Sequence, residues 1–130
     1  MPLTERELVA LAIVPEHRAR FFARMGSERT RRKLRNCLDH SAPLDAHCTT
    51  WYRKLHEASA TLQVEPDAPT LLVSSDASID GASLPFALAL DAVVASGFGT
   101  IIGISSDLAV FSDQEQPARA AVIRRARVGA

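Results

Sequence analysis

Aromatic residues are scarce in this chain, with one Trp, one Tyr and five Phe among 130 residues. That argues against a surface that binds single-stranded nucleic acid by stacking successive bases on rings. Cysteines number two, Cys37 and Cys48, and with no secretory signal they read as reduced, partly buried thiols rather than a disulfide. No apolar run is long enough for a bilayer: Leu8 to Val14 is short and follows Glu5 and Glu7, and Leu84 to Ala95 is interrupted by Asp91. A soluble, cytoplasmic protein is expected. Walker, HExxH, GxSxG and CxxC motifs are all missing, which weighs against the commonest enzyme classes. Gly97, Gly99 and Gly103 follow a helical segment instead of preceding one, so they do not make a phosphate-cradling loop.

What the chain does have is a change of character near Pro66 to Pro69. Residues 1–60 hold eleven Lys and Arg against seven Asp and Glu, while residues 61–130 hold four against eight, so a net charge of zero hides two halves of opposite sign. The basic half is patterned for helices. Thr4 and Glu7 have capping-box spacing ahead of Leu8, Leu11 and Ala12, which predicts a helix from Thr4 to Ile13, ended by Pro15. Pro15 opens a second, with Phe21, Phe22 and Met25 on one face and Gly26 as its stop. Ser27 caps a third that runs to Asp39 with Leu34, Cys37 and Leu38 inward, and a fourth is expected from Asp45, where Cys48, Trp51, Leu55 and Ala58 hold helical spacing.

The acidic half is patterned for a sheet. After an irregular stretch from Gln63 to Pro69, Thr70 to Ser74 predicts a strand, followed by a Ser-Asp-rich loop. Ser83 caps a helix with Pro85 in its first turn, Phe86, Leu90, Val93 and Val94 on its apolar face, and Gly97 as its stop. Gly99 to Ser105 and Leu108 to Ser112 predict strands joined by a two-residue turn at Ser106 and Asp107. A last strand, Ala120 to Val128, alternates poorly and carries Arg124, Arg125 and Arg127, the pattern of an exposed edge. The order implies one right-handed parallel crossover and then antiparallel neighbours. The expected fold is α+β: one domain, a helical lobe of three to four short helices over about residues 1–62 packed on a small mixed βαβββ sheet over about 70–128. Leu72, Phe86, Leu90, Val94, Ile102, Ile104 and Val110 are expected to be buried together.

Three groups of residues invite a functional reading. Arg29, Arg31, Arg32, Lys33 and Arg35 give the third helix a basic face suited to phosphate oxygens or to an acidic protein partner, but Glu28 opens that helix with the wrong sign and the chain as a whole is not basic. Ser74, Ser75, Asp76, Ser78, Asp80 and Gly81 lie just beyond a strand and before a helix. Asp76, Ser78, Asp80 and Gly81 match the first, third, fifth and sixth places of a calcium loop, but Ala87 stands where a bidentate Glu is needed. A structural loop, its side chains bonded to local backbone, is the expectation. Cys37, His40, His47 and Cys48 could in composition hold zinc, but His47 and Cys48 are adjacent and diverge on a helix. No metal, cofactor or catalytic residue is assigned.

The function expected from these readings is that of a non-enzymatic protein-interaction or regulatory module, with another protein, including a second copy of itself, as partner. The alternatives are a small-ligand-binding protein or enzyme with its site at Ser74 to Gly81, and a nucleic-acid binder acting through Arg29 to Arg35. A deep pocket with converging acids at Asp80 would favour chemistry, and a self-satisfied loop would favour binding.

Overall fold

The computed structural model describes residues 3–24, 44–113 and 119–125. Helix α1 spans Glu5–Ala12 behind a complete capping box: the Thr4 hydroxyl accepts from the Glu7 amide, and Glu7 Oε1 accepts from the Thr4 amide, each at 3.1 Å. Pro15 opens α2, Pro15–Arg24. The turn expected at Gly26 and the helix expected from Ser27 to Asp39 lie outside the described residues.

The fourth helix is not found as expected. Thr49–Tyr52 is strand β1, and only Leu55–Ala60 is helical, as α3. Two Thr, a Trp and a Tyr are types that suit a pleated, half-buried surface, and here that preference outweighs an apolar spacing that merely spans a strand and a helix. Strand β2 covers Pro69–Ser74. Ser83–Pro85 then forms a short strand, β3, so Ser83 does not cap a helix; α4, Phe86–Ser96, follows Pro85 directly and stops at Gly97 with φ of +72°. Strands β4, Thr100–Ser105, and β5, Leu108–Asp113, are joined across Ser106 and Asp107 as expected, and β6 is Arg119–Arg124.

The six strands lie in the order β1-β6-β5-β4-β2-β3, and every neighbouring pair is antiparallel. The α+β class is therefore observed, while the parallel crossover is corrected. The cause is β3, which turns the chain back beside β2 before α4 begins, so that β4 runs opposite to β2. The last strand is corrected too. β6 lies between β1 and β5, and its four consecutive buried residues, Ala120 to Ile123, show that poor alternation marks a strand covered on both faces rather than an edge.

Alternation along the strands sorts two cores. Val73, Ile101, Ala109, Phe111, Ala121 and Ile123 pack against Leu8, Val9, Leu11 and Ala12 of α1 and Phe21 of α2. On the opposite face, Leu72, Ile102 and Val110 meet Phe86, Ala89 and Val93 of α4, and Ala120 and Val122 meet Ala58 of α3. Leu90 and Ile104 are half-buried against that second core, but Val94 is 70% exposed. It follows Val93 by one step of about 100° around the helix, which carries it off the face that Val93 buries. Among the described residues no helix is long and apolar enough to cross a membrane.

Gly103 of β4 lies directly under the start of α1. A Cβ there would meet the Leu3 side chain, and Leu8 Cδ2 and Cδ1 at 3.0 and 3.1 Å. Leu8 is fully buried and has little room to yield. Gly103→Val should therefore destabilise the protein by about 1–3 kcal/mol through overpacking, measured as a lower urea midpoint with unchanged slope.

Candidate functional site

The loop after β2 is held almost entirely by its own polar groups. Ser74, fully buried at the end of β2, receives two ties: Asp80 Oδ1 accepts from the Ser74 amide at 3.1 Å, and Ser74 Oγ accepts from the Asp76 amide at 3.0 Å. Ser74 Oγ also lies 2.7 Å from Thr100 Oγ1, which donates to the Phe98 carbonyl at 3.0 Å. Every hydroxyl proton finds an acceptor if Ser74 donates to Thr100, so Ser74 is a structural hydroxyl and not an exposed nucleophile. Asp76 Oδ1 accepts from the amide and hydroxyl of Ser78 at 2.9 and 2.7 Å, closing an Asx turn. Ser75 donates its amide to the Gly99 carbonyl at 3.0 Å.

Gly81 carries φ of +80° and donates its amide to the Leu72 carbonyl at 2.8 Å, while the Leu72 amide donates to Ala82 at 2.9 Å. A residue with a Cβ would be strained in that left-handed conformation. The loop thus brings Ser74, Ser75, Asp76, Ser78, Asp80 and Gly81 together, as their spacing suggested, but around backbone groups. Asp80 secures the end of β2. The Asp76 carboxyl is held below its ordinary pKa by the Ser78 side chain, then the Ser78 amide, then the Ser96 side chain at the end of α4.

A second feature has more open chemistry. Between α3 and α4 runs a groove made of two adjoining depressions that share Leu55 and Val94. One, of about 330 Å³, is lined by Arg53, Lys54, Leu55, Val94, Ser112, Asp113 and Arg119. The other, of about 400 Å³, adds His56, Ser59, Leu90 and Asp91. At the Arg53 end of the sheet, on the face that α1 and α2 cover, Arg119 Nε donates to Asp113 Oδ2 at 3.2 Å, and its guanidinium carbon sits 3.7 Å over the Trp51 ring, which packs edge-on to Phe111. Asp113 is buried, so this pairing also satisfies a carboxylate taken out of water.

Arg29, Arg31, Arg32, Lys33 and Arg35, together with Cys37 and His40, lie outside the described residues. Cys48 is a half-buried free thiol whose carbonyl accepts from the Arg124 amide, and His47 is exposed. Among the described residues no three His, Cys, Asp or Glu side chains stand close enough to share a metal ion. Compared with known protein families, curated proteins and solved structures, the chain matches none.

Sequence reasoning missed the groove because its walls come from three distant segments. One signal was available: α4 has a single charged residue, Asp91, and Leu88 and Val94 stand off the face defined by Phe86, Ala89 and Val93. A helix apolar on both sides is a surface awaiting cover.

Two outcomes follow for the loop. Asp80→Ala removes the acceptor of the buried Ser74 amide and should cost about 1–3 kcal/mol in chemical denaturation, and millimolar calcium should leave the melting temperature of the wild type unchanged. For Asp76, a carboxyl whose folded pKa is lowered stabilises the fold at pH above its ordinary value, and that contribution drains away as pH falls through the lowered one. Asp76→Asn keeps an oxygen for the Ser78 amide but no charge, so its stability should fall less steeply than that of the wild type on the acid limb.

Proposed function

We propose that the protein works by binding another protein, and that its contact surface is the outward side of α4. The observation that carries this reading is the composition of that side: Ala87, Leu88, Asp91, Val94 and Ala95 are all exposed, Leu88 by 54% and Val94 by 70%, with Phe98 exposed by 47% just beyond the helix stop. Leaving two large apolar side chains in water on one helix, with a third just past its end, forfeits burial worth roughly 1.5–3 kcal/mol for each that a partner could cover completely. Contiguous patches of this kind are the usual mark of an interaction surface.

Asp91 narrows the partner. Helical geometry sets it near the middle of the outward arc, between Val94 on one side and Leu88 on the other. A two-fold pairing of α4 with its own copy would bring the two Asp91 carboxylates together, which opposes self-association through this face. A different protein with apolar side chains around one Lys or Arg complements it better. The loop from Ser74 to Gly81 supports binding over catalysis in a negative way, since its carboxylates and the Ser74 hydroxyl are engaged with local backbone and hydroxyl groups. The nucleic-acid reading rests on Arg29 to Arg35 and gains no support from the described residues.

The test compares wild type with Leu88→Asp, an exposed change that should move folding stability by less than about 0.5 kcal/mol. A protein retained from extract by immobilised wild type should be lost by the variant, and the purified pair should reproduce that difference by calorimetry. Retention that is identical for the two forms, or a wild-type dimer that Leu88→Asp disperses in sedimentation, would overturn the heterologous reading.

A further inference from the structure

We infer that the outer edge of β1 pairs with the same edge of a second copy of this chain, around a two-fold axis at Trp51, so that two six-stranded sheets join into one. The inference concerns a different surface from the outward side of α4 and does not depend on the partner proposed there.

β1 and β3 are the two edges of the sheet, and their backbone bonds show which groups face outward. The Arg124 amide donates to the Cys48 carbonyl at 2.8 Å, one step beyond the pair Thr49↔Ile123. Bonded and non-bonded pairs alternate along antiparallel strands, so Thr50 and Tyr52 turn their backbone groups to β6 and Trp51 turns its own away from the sheet. The Thr49 amide faces the same way but is engaged by the Ala46 carbonyl at 3.5 Å. Neither the amide nor the carbonyl of Trp51 has a hydrogen-bond partner among the described residues. Edges are commonly blunted by a Lys, a Pro or a bulge. Within β1 none of these occurs, and the Trp51 side chain stands 41% exposed. β3 is different. The Phe86 amide donates to the Ala68 carbonyl at 2.8 Å, one step beyond Pro69↔Pro85, so Leu84 faces β2 while Ser83 and Pro85 face outward. Proline has no amide to give, which closes that edge to further pairing. A copy added at β1 therefore finds one matching edge on the molecule, β1 itself, and the contact stops at two.

The same groups set the register. With the axis at Trp51, the two Trp51 residues exchange amide-to-carbonyl bonds, Thr50 lies opposite Tyr52 of the second copy, and Arg53 lies opposite its Thr49, so no like charges face one another. Moving the axis back toward Thr49 calls on an amide already engaged. Moving it forward runs past the end of β1 and brings arginine toward arginine. On the face that α1 and α2 cover, two exposed Trp51 rings, each edge-on to its own Phe111, come side by side and lose water-exposed area. On the other face, α3 packs on β1 and β6. Strands lie about 4.8 Å apart, so two copies of α3 come within about two strand spacings, roughly 10 Å, which is a helix-packing distance. A second copy thus brings a helix to the junction as well as a strand, and an isolated extended peptide does not.

Sedimentation equilibrium of the full chain, from micromolar to near-millimolar concentration, is the test. A reversible monomer–dimer equilibrium is expected, with no larger species. Trp51→Lys and Trp51→Glu each set like charges opposite one another at the axis and should weaken association by at least about tenfold. An equimolar mixture of the two should associate more tightly than either alone, which requires a contact that pairs position 51 with itself. If these variants fail to fold, the wild type still decides: hydrogen exchange at the Trp51 amide should slow as concentration rises, since that amide is bonded only in the dimer. Leu88→Asp should leave the dimer intact, which separates this edge from the protein-binding side of α4. A monomer at every concentration, species that grow beyond two, a dimer indifferent to Trp51→Lys, or a mixture no tighter than its components would each overturn the assignment.

Discussion

Two backbone hydrogen bonds at Leu72 determine the course of everything after them. Its carbonyl accepts from the Gly81 amide and its amide donates to Ala82, and these bonds lay the chain back along β2 so that Ser83–Pro85 adds an edge strand. Without that reversal the helix after β2 would return the chain to lie parallel to it, the arrangement favoured when a strand, a helix and a strand follow one another. With it, α4 starts from the opposite end of the sheet, β4 runs antiparallel to β2, and β5 and β6 follow by tight connections into the positions that bury Phe111 and Ile123. Gly81 is the residue that makes the bonds attainable, because its φ of +80° is a conformation open to glycine at little cost.

The same reversal explains which parts of the structure could be read from residues alone. Local signals were legible: the Thr4 and Glu7 capping box, Pro15 at the start of α2, Gly97 at the end of α4, and the Ser106–Asp107 turn all depend on residues within a few positions of each other. Strand β3 was not, since three residues ending in Pro85 carry no periodicity and Pro is tolerated there only because the strand is an edge. β1 was hidden by chance helical spacing from Cys48 to Ala58. β6 was misplaced because a strand buried on both faces and a weakly alternating edge strand look alike until its neighbours are known. At the candidate sites the division is similar. The Ser74 to Gly81 loop is a contiguous segment whose self-satisfied character follows from its Asp and Ser spacing, whereas the groove exists only once residues near 55, 90 and 112 share one face.

Asymmetry between the two faces accounts for the groove. One face of the sheet is covered by α1 and α2, which together bury Leu8, Val9, Leu11, Ala12 and Phe21. The other has α3 over β1 and β6 and α4 over β2 and β4, and α3 is only six residues long. A helix of that length extends about 9 Å, against roughly 20 Å for a six-residue strand. It cannot cover the strands it sits on, so the end of β5 at Ser112 and Asp113 is left at the bottom of a depression whose other wall is α4. The opening is thus a consequence of element lengths, and no unpaired buried polar atom is left on its account among the described residues.

Length also bears on why the apolar residues of α4 are divided as they are. Phe86, Ala89 and Val93 are enough to seal α4 onto Leu72, Ile102 and Val110, so folding does not require Leu88 or Val94 to be apolar. An exposed helix position is ordinarily filled at no loss by Glu, Lys or Gln, whose helix propensity exceeds that of Val by a few tenths of a kcal/mol. Val at position 94 therefore gains nothing from propensity and nothing from the core. Leu55, by contrast, is half-buried and packs against both clusters on this face of the sheet, so its apolar character is accounted for by folding. Leu88 and Val94, which fold the chain no better than polar residues would, are accounted for by a partner that covers the outward side of α4.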